Sequence, residues 1–267
     1  MKKIDKKVLV IGSSGFIGSH LFPRLEKLYS TFGYDLVGGN DIRDKFKLDR
    51  LFEKERFDIV INLAARAGVL SGEEFYDEYY STNCVGLMNI IKICEKYKVK
   101  RFIHFSSSAV LKALSVYGVT KLAGDYMVKN SKLDWVIIRP FTVIGEGGRK
   151  DMVIGKWKRQ LEKGEKIQFR GDGTTFRGYT YVGDLVDGVI SAITGPGGEY
   201  DIGGDVKITL EEFWQIFQKV YPYAEREYVP LPEWDEPGEL ADTAKAREVL
   251  GWQPRVDIKS KIKELMK

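Results

Sequence analysis

Short apolar segments rich in valine and isoleucine alternate with longer segments of helical periodicity along the first half of the chain. We predict strands at "KVLVIG", "YDLVG", "FDIVINLA", "RFIHFS" and "WVIIRP". Helices are predicted between them, over 16–30, 45–56, 78–97 and 117–130. Strands that are apolar on both faces and separated by helices are typical of a parallel sheet with helices on each side. The pattern therefore predicts an α/β fold built on a doubly wound parallel sheet.

The pattern changes after Pro140. Glycine-rich turns such as "GEGGRKD", "GDGTTFRG" and "GPGGEYDIGG" separate short strands and helices there, which indicates a second, smaller lobe. We expect the chain to return once more to the sheet near 180–194. The expected sheet domain therefore comprises 1–142 with about 180–198, and the expected smaller lobe comprises 143–179 with about 199–267.

Charged residues are distributed along the whole chain. With 42 basic and 38 acidic residues among 267, the net charge of +4 suits a phosphate-bearing small ligand better than a nucleic acid. The apolar run "VLVI" near the start is shorter than the ~7–15 residues of a signal-peptide core, and no run approaches membrane-spanning length. We therefore expect a cytoplasmic protein that binds neither nucleic acid nor membrane.

Cys84 and Cys94 lie in one helical pattern, 94 − 84 = 10 residues apart. At ~1.5 Å per residue they are ~15 Å apart, which is too far for a disulfide, so we expect two reduced thiols. With two histidines and no Cys-x-x-Cys motif, the sequence predicts no metal site.

The segment "VLVIGSSGFIGSH" places Gly12, Gly15 and Gly18 between the first strand and the first helix. Without side chains there, the backbone can approach a pyrophosphate at the helix N-terminus, where free N–H groups and the helix dipole favour negative charge. A glycine triplet alone also fits a tight turn. Its place after the first strand of an alternating pattern favours dinucleotide binding.

Tyr117 and Lys121 are four residues apart, so both side chains project from one face of a predicted helix. One such pair is expected by chance in a chain this rich in tyrosine and lysine, so its position carries the argument. The pair follows the strand "FIHFSSS", whose carboxyl end is where doubly wound sheets bind ligands. A lysine ammonium and an oxidised nicotinamide at this place are expected to lower the tyrosine pKa from ~10 toward neutrality.

The order of these motifs resembles the extended short-chain dehydrogenase/reductase family, in its nucleotide-sugar epimerase/dehydratase branch. The motifs of the sheet domain are "GSSGFIG", "DIRD", "INLAARAGV", "STNCVGLMNII", "FSSSAV", "YGVTKLAGD" and "RPFTVIG". Those of the second lobe are "GDGTTFRGYTYVGDL", "YDIGG" and "ADTAKAREVLGW". The likeness covers nearly the whole chain and implies a Rossmann-type sheet domain. Within the branch, "AARAGV" and "GGRKDM" are most similar to UDP-glucose and UDP-glucuronate 4-epimerases.

The resemblance implies roles for individual residues. Tyr117 would be the catalytic acid/base, Lys121 would hold the nicotinamide ribose, and Ser107, with Ser108 as second choice, would hydrogen-bond the sugar hydroxyl. Arg177 would pair with the substrate phosphates, although an exposed turn residue is the alternative interpretation. The implied substrate-binding residues are Thr142, Arg149 and Arg177. The expected cofactor-binding residues are Gly12, Gly15, Phe16, Ile17, Gly18, Asp41, Ile42, Leu63, Ala64, Ala65 and Lys121.

NAD is the expected cofactor. An acid at the end of the second strand, ~20 residues after the glycine loop, accepts hydrogen bonds from the adenosine ribose in such sites. Asp35 begins its predicted strand "YDLVG", whereas Asp41 follows the strand and fits the role better. Arg43 suits a 2′-phosphate, so NADP stays open as an alternative.

The function implied by the resemblance is NAD-dependent epimerisation at C4 of a nucleotide-diphosphate sugar through a transient 4-keto intermediate. A nucleotide-sugar reductase or dehydratase uses the same tyrosine and lysine. A non-catalytic dinucleotide-binding protein of the same fold is the third alternative. Helices 78–97 and 117–130 resemble those through which relatives pair, so a homodimer is expected by analogy.

The connection between the serines and the tyrosine departs from the family pattern. Relatives have some twenty residues there, whereas this chain has 117 − 107 = 10. Ten extended residues reach ~33 Å, so Ser107 and Tyr117 can still meet. The prediction is that catalysis is retained while a substrate-covering loop is lost.

Positions of the second lobe also depart from the pattern. Where the family has "RPFNVYGP", this chain has Thr142, Ile144 and Glu146 in place of asparagine, tyrosine and proline. Before "PGE", where relatives have an arginine for the nucleotide diphosphate, it has Glu236. A carboxylate at that place is expected to repel the diphosphate.

Overall fold

The computed structural model describes residues 3–68, 75–231 and 238–267. The strands in these ranges are β1 (Lys7–Ile11), β2 (Ser30–Tyr34), β3 (Ile59–Asn62), β4 (Arg101–Phe105), β5 (Trp135–Pro140), β6 (Thr142–Ile144), β7 (Ile167–Arg170), β8 (Phe176–Tyr181), β9 (Gly198–Ile202), β10 (Lys207–Thr209) and β11 (Arg226–Val229). The helices are α1 (Phe16–Glu26), α2 (Lys45–Glu55), α3 (Tyr76–Tyr80), α4 (Leu87–Lys96), α5 (Val116–Lys129), α6 (Val153–Glu162), α7 (Val182–Thr194), α8 (Leu210–Val220), α9 (Ala244–Leu250) and α10 (Ile258–Met266). Short 3₁₀ turns cover Leu36–Gly38 and Ser108–Val110, and a π-helical segment covers Ser81–Gly86.

A six-stranded parallel sheet forms the centre of the molecule, in the order β2-β1-β3-β4-β5-β9. The side chains of β1, β3 and β4 are buried on both faces of the sheet, as their continuous apolar sequences require. Helices α1 and α7 pack on one face, and α2, α4 and α5 pack on the other. The predicted doubly wound α/β fold is confirmed.

The second strand lies earlier in the sequence than predicted. β2 pairs with β1 from Ser30 to Tyr34, and Asp35 caps the 3₁₀ turn that follows by accepting a hydrogen bond from the Val37 amide at 3.0 Å. Leu36 and Val37 are 64% and 87% exposed. The prediction of a strand at "YDLVG" was wrong because these two apolar residues belong to a surface turn rather than to the sheet.

The last contribution to the sheet comes from β9, which pairs with β5 from Gly198 to Ile202. The segment near 180–194, expected to return to the sheet, instead forms the end of β8 and helix α7. We propose to place the domain boundary after Ile202 rather than near 198, so that the parallel sheet remains whole.

The smaller lobe contains the three-stranded sheet β10-β8-β6 and the two-stranded sheet β11-β7. Its core is dominated by aromatic side chains from α6, β7 and α8, namely Trp157, Phe169, Phe213, Trp214 and Phe217. Helix α10 closes this core with Ile258, Ile262 and Met266. The lobe therefore has its own hydrophobic core, which holds β6 and β8 beside the end of the large sheet.

Cys84 and Cys94 lie in one continuous helix formed by α3, the π-helical segment and α4, and both are free thiols. Across residues 3–68, 75–231 and 238–267, each helix is too short or too polar to cross a bilayer. Nor do the described residues bring together three or more histidine, cysteine or acidic side chains in an arrangement that could hold a metal ion.

Candidate active site

A cavity of about 710 Å³ opens at the carboxyl ends of β1, β3 and β4, between the large sheet and the smaller lobe. The residues predicted from sequence that line it are Gly12, Gly15, Phe16, Ile17, Gly18, Leu63, Ala65, Ser107, Ser108, Tyr117, Lys121, Thr142, Arg149 and Arg177. Asp41, Ile42 and Ala64 lie outside this lining. One cavity thus brings together most of the expected cofactor, catalytic and substrate residues.

The glycine loop is packed so closely against neighbouring backbone that it has no room for side chains at Gly12 and Gly18. Gly12 has a left-handed φ of 85°, and a Cβ there would lie 2.8 Å from the amide nitrogen of Ala64. A Cβ on Gly18 would lie 2.2 Å from the carbonyl oxygen of Gly12. Helix α1 begins after Gly15, which offers no capping side chain, so its first amides are available to an anion. The loop therefore fits the pyrophosphate of a dinucleotide.

Asp35 lies directly beside this loop. It follows the last residue of β2, and its Oδ2 accepts a hydrogen bond from the Ser14 amide at 2.9 Å. This is the strand-end position at which an acid meets an adenosine ribose. The reason for preferring Asp41, that Asp35 begins its strand, was wrong.

Asp41 is engaged by a different partner. Both of its carboxylate oxygens accept hydrogen bonds from Arg43, at 2.6–3.0 Å, and this contact lowers the pKa of Asp41. The neighbouring Ile42 is buried, and its carbonyl accepts a hydrogen bond from Asn89 at 3.2 Å. The two charges of Asp41 and Arg43 therefore largely offset one another on the surface.

Lys121 lies almost fully buried in the cavity wall, at 4% exposure. Its ammonium donates a hydrogen bond to the carbonyl of Phe105, the last residue of β4. Burial lowers the pKa of Lys121 to about 8, although the nearby carboxylate of Asp125 acts in the opposite direction. The sheet therefore fixes the position of this ammonium from below.

Tyr117 occupies the same wall, one helical turn before Lys121, with its ring edge against Tyr79 at 6.4 Å between centroids. Burial raises the pKa of the Tyr117 phenol, whereas hydrogen bonding with Ser107 and the positive charge of Arg149 lower it. Arg149 had been predicted only as a substrate-binding residue. In this arrangement it is also the cation that acts on the phenol, while the Lys121 ammonium is turned toward Phe105.

A buried group of charges lies behind Lys121, and the sequence reasoning missed it. Asp125, at 1% exposure, accepts a hydrogen bond from Arg139 Nη2 at 3.3 Å. Arg139 also binds Asp201 at 2.9 Å and Glu199 at 3.2 Å. Asp125 is four residues after Lys121 on the same helix, which is the one sequence signal that could have indicated a link.

His104 is a second missed residue, buried beneath the cavity at 2% exposure. Asn62 Oδ1 accepts a hydrogen bond from the Ala64 amide at 3.2 Å, so its Nδ2 donates to His104 Nδ1 at 3.3 Å. The network thus assigns the neutral tautomer with its proton on Nε2. Burial lowers the pKa of His104 well below its usual value. The imidazole thereby supports the turn on which the glycine loop rests.

Asn83 fixes the backbone that follows β3. Its side chain accepts a hydrogen bond from the Arg66 amide at 2.8 Å and donates one to the Arg66 carbonyl at 3.1 Å. It also donates to Thr120 Oγ1 of α5 at 3.0 Å. Asn83 belongs to the π-helical segment, and such segments are frequent at functional sites.

Arg177 lies at the mouth of the cavity, where its Nη1 donates to the Phe176 carbonyl at 2.7 Å. The Gly238 amide donates to the same carbonyl at 3.0 Å. Glu236, whose charge was predicted to oppose the diphosphate, lies outside the described residues. The expectation about Glu236 therefore stays a prediction.

Two of the substituted family positions have structural roles. Ile144 is buried in the core of the smaller lobe. Glu146 accepts hydrogen bonds from the Tyr181 hydroxyl and from Lys261, each at 3.1 Å. Thr142, the third, lines the cavity at the start of β6.

Comparisons with known proteins show which enzymes this chain is similar to. A UDP-glucuronate 4-epimerase of Thermodesulfobacterium geofontis is 30% identical over 246 residues, covering 84% of this chain and 76% of that protein. UDP-glucose 4-epimerase with UDP-glucose from Thermotoga maritima superposes with a TM-score of 0.88, at 26% identity over 97% of both chains. UDP-glucuronic acid 4-epimerase from Bacillus cereus, in complex with UDP-glucuronic acid and NAD, gives a TM-score of 0.87 at 26% identity, covering 97% of this chain and 98% of that one. The profile of the NAD dependent epimerase/dehydratase family matches residues 8–203, which is most of the chain. As the motifs predicted, the chain belongs to the NAD dependent epimerase/dehydratase family.

Proposed function

We propose that the protein is an NAD-dependent epimerase that inverts C4 of a nucleotide-diphosphate sugar. The observation that carries this proposal is the arrangement of one cavity. Tyr117, Ser107 and Lys121 line one cavity together with the glycine loop and Arg177. The proposed proton-transfer group thus shares this cavity with a loop suited to a dinucleotide and with an arginine suited to a phosphate.

NAD is the cofactor for which the glycine loop is suited. The glycine loop and the start of α1 would hold its pyrophosphate, and we propose that Asp35, rather than Asp41, binds the adenosine ribose. A carboxylate there accepts hydrogen bonds from ribose hydroxyls and repels a 2′-phosphate. The chemistry supplied by bound NAD is reversible hydride transfer at C4.

We propose that residues of this chain carry out the proton transfer and position the reacting groups. The Tyr117 phenolate, stabilised by the charge of Arg149 and the hydrogen bond with Ser107, would take the proton of the sugar C4 hydroxyl as this becomes a carbonyl, and would return it after the 4-keto sugar has turned over. The Ser107 hydroxyl would orient the reacting oxygen by hydrogen bonding. Lys121, with a pKa of about 8, keeps its positive charge at neutral pH and would hold the nicotinamide ribose.

A uronic acid is the sugar that the site suits best. Arg149 lines the cavity close enough for its charge to act on the Tyr117 phenol. This guanidinium donates to the carboxylate of Asp151, through Nε at 3.0 Å and through Nη2, and it would exchange this partner to bind a sugar carboxylate through paired hydrogen bonds. Relatives named UDP-glucuronate 4-epimerase support this choice. Thr142, which lines the same cavity, would also contact the sugar.

The test is turnover of UDP-glucuronate and UDP-glucose by the purified protein with added NAD, followed by chromatography and NMR of the sugar. The expected product is the C4 epimer, without net accumulation of NADH. Accumulating NADH or a dehydrated sugar would identify an oxidoreductase or a dehydratase instead. Tight NAD binding without turnover of any nucleotide sugar would favour the non-catalytic alternative.

We further propose a homodimer formed through the outer faces of α4 with its preceding π-helical segment and of α5. Apolar side chains are exposed on these faces, among them Val85 at 46%, Val119 at 42% and Tyr126 at 60%. Sedimentation velocity of the wild-type protein and of Val119→Glu tests this, since the charge should shift the protein toward monomer.

We also propose a cytoplasmic location, which the two free thiols support because reducing compartments keep cysteines unpaired.

A further inference from the structure

The connection between β4 and α5 is short, and both of its ends are fixed. At its start the Ser107 hydroxyl accepts a hydrogen bond from the Ala109 amide at 3.2 Å, and at its end the Ser115 hydroxyl caps α5 through the Gly118 amide at 3.1 Å. Gly118 packs so closely that a Cβ there would lie 2.7 Å from the Ala109 carbonyl oxygen. The few residues between these ends therefore have little freedom, and one of them is Lys112.

Lys112 lines the cavity and faces the smaller lobe. Its ammonium lies 3.9 Å from the carboxylate of Glu239, and both side chains are 41% exposed. Glu239 follows Gly238, whose backbone is packed against the Arg177 side chain, since a Cβ on Gly238 would lie 2.9 Å from Arg177 Cδ. The structure thus brings a lysine of the sheet domain and an arginine of the smaller lobe to the same mouth of the cavity.

We propose that Lys112 binds the diphosphate of the substrate together with Arg177, an inference that rests on the proposed nucleotide-sugar function. A diphosphate carries more negative charge than one guanidinium neutralises, so a second cation close to Arg177 would stabilise it further. The short connection between β4 and α5 supplies this second cation, the ammonium of Lys112, from the sheet domain. Lys112 is therefore a substrate-binding residue that the shortened connection provides.

Glu239 has a defined part in this arrangement. A long, half-exposed ion pair is weak, so Lys112 exchanges Glu239 for a phosphate at little cost. Glu239 is then a competitor of the phosphate for the same ammonium. Removing the charge of Lys112 and removing the charge of Glu239 should consequently have opposite effects on nucleotide affinity.

The experiment is titration calorimetry of the full-length protein with UDP and with uridine, at low and at high salt. Lys112→Met should weaken UDP binding about five-fold, the worth of an exposed contact between charges, and should leave uridine binding unchanged. Glu239→Gln should tighten UDP binding, and both differences should shrink at high salt. The matched control is Lys163→Met, because Lys163 forms a similar 3.8 Å pair with Glu165 away from the cavity.

Several results overturn the assignment of Lys112. One is unchanged UDP affinity in Lys112→Met, and another is an equal loss for UDP and uridine, which indicates disturbed packing. A loss confined to UDP-glucuronate, with UDP and UDP-glucose unaffected, would assign Lys112 to the sugar carboxylate instead. If the wild-type protein binds NAD but neither UDP nor another nucleoside diphosphate, the nucleotide-sugar function itself fails and this inference fails with it.

Discussion

Lys121 and Lys112 both line the cavity, but Lys121 is 4% exposed whereas the Lys112 side chain is 41% exposed. The buried lysine is held by a backbone carbonyl and lies above the ion pair of Asp125 and Arg139. The exposed lysine faces Glu239 across 3.9 Å. The charge at the inner wall of the cavity is therefore buried and held in one place, whereas the charge at the mouth is exposed to water and weakly paired.

The difference follows from the surroundings of each charge. In the poorly solvated interior an unpaired charge is costly, so Lys121, Asp125 and Arg139 each have a fixed hydrogen-bond partner. At the mouth, water screens the charges, and their partners can change without a large cost. The inner wall is suited to a reaction whose geometry stays constant, and the mouth is suited to admitting and selecting a charged ligand.

The largest effect is expected at the inner wall, from Tyr117→Phe. Loss of the phenol oxygen should lower turnover by ~10²–10⁴, the usual contribution of a positioned proton-transfer group, while NAD affinity changes little. Steady-state rates and NAD titration measure the two quantities. Tyr126→Phe, on the exposed face of the same helix, is the control. Turnover like that of the wild type in Tyr117→Phe would remove Tyr117 from the mechanism.

The next effect concerns the ion pair behind Lys121. Asp125→Asn keeps the shape of the side chain but leaves Arg139 with one carboxylate fewer, so we expect the free energy of unfolding to fall by about 2 kcal/mol. This is less than the ~3–5 kcal/mol lost when a buried charge keeps no partner, because Arg139 keeps Asp201 and Glu199 and because burial already raises the pKa of Asp125. Urea denaturation measures the loss.

The control for this variant is Asp187→Asn, which breaks a more exposed pair with Arg24. That pair has side chains 46% and 32% exposed, so its loss should cost no more than about 1 kcal/mol. Equal losses in the two variants would contradict the contrast between buried and exposed charges.

The third effect is a pH dependence of stability caused by His104. Burial holds the pKa of His104 well below 6.5 in the folded protein, whereas the unfolded chain takes up a proton near pH 6.5. Stability is therefore fully present above pH 6.5 and falls as the pH is lowered, by up to ~1.4 kcal/mol per pH unit. We therefore expect the loss to grow as the pH is lowered from 6.5 toward 5.

Denaturation of wild type and of His104→Asn across this pH range tests the assignment. The variant should show a shallower dependence on pH than the wild-type protein. A slope unchanged in His104→Asn would mean that other groups produce it.

The smallest effect separates two candidate acids of the cofactor site. Asp35→Asn should weaken NAD binding about ten-fold, because a hydrogen bond to a charged group contributes about 1.5 kcal/mol. Asp41→Asn should have less effect, since Arg43 already occupies both carboxylate oxygens. Calorimetry with NAD and NADP measures this. A larger loss in Asp41→Asn would return the role to Asp41, and tighter binding of NADP by the wild type would shift the assignment to Arg43.

Sequence patterns located the parts of the site that depend on local structure. The glycine loop and the Tyr117/Lys121 pair each lie within one strand-to-helix unit, so their spacing is fixed by the backbone alone. The edge strand β2 was misplaced because just one of its five residues, Tyr34, is fully buried, which leaves little hydrophobic signal. The error in β2 then led to the choice of Asp41 over Asp35.

Contacts between distant segments were beyond the reach of these patterns. Asp125 meets Arg139 across 14 residues of sequence, and Asn62 meets His104 across 42. Lys112 and Glu239 come from different lobes, and no local periodicity indicates that they approach each other. Such pairs are determined by tertiary packing, which a single sequence does not display.

The π-helical segment Ser81–Gly86 sets a limit on insertions and deletions in this chain. The connection between β4 and α5 is only about ten residues long, yet β4 and β5 pair in parallel over four residues. Deleting one residue from Ser81–Gly86 would instead convert the wide π-helical turn into regular α-helix, which would displace the side chains of this segment. Asn83 would then lose its three hydrogen bonds to Arg66 and Thr120. The length of the connection between β4 and α5 can therefore vary, whereas the π-helical segment Ser81–Gly86 does not tolerate the loss of even one residue.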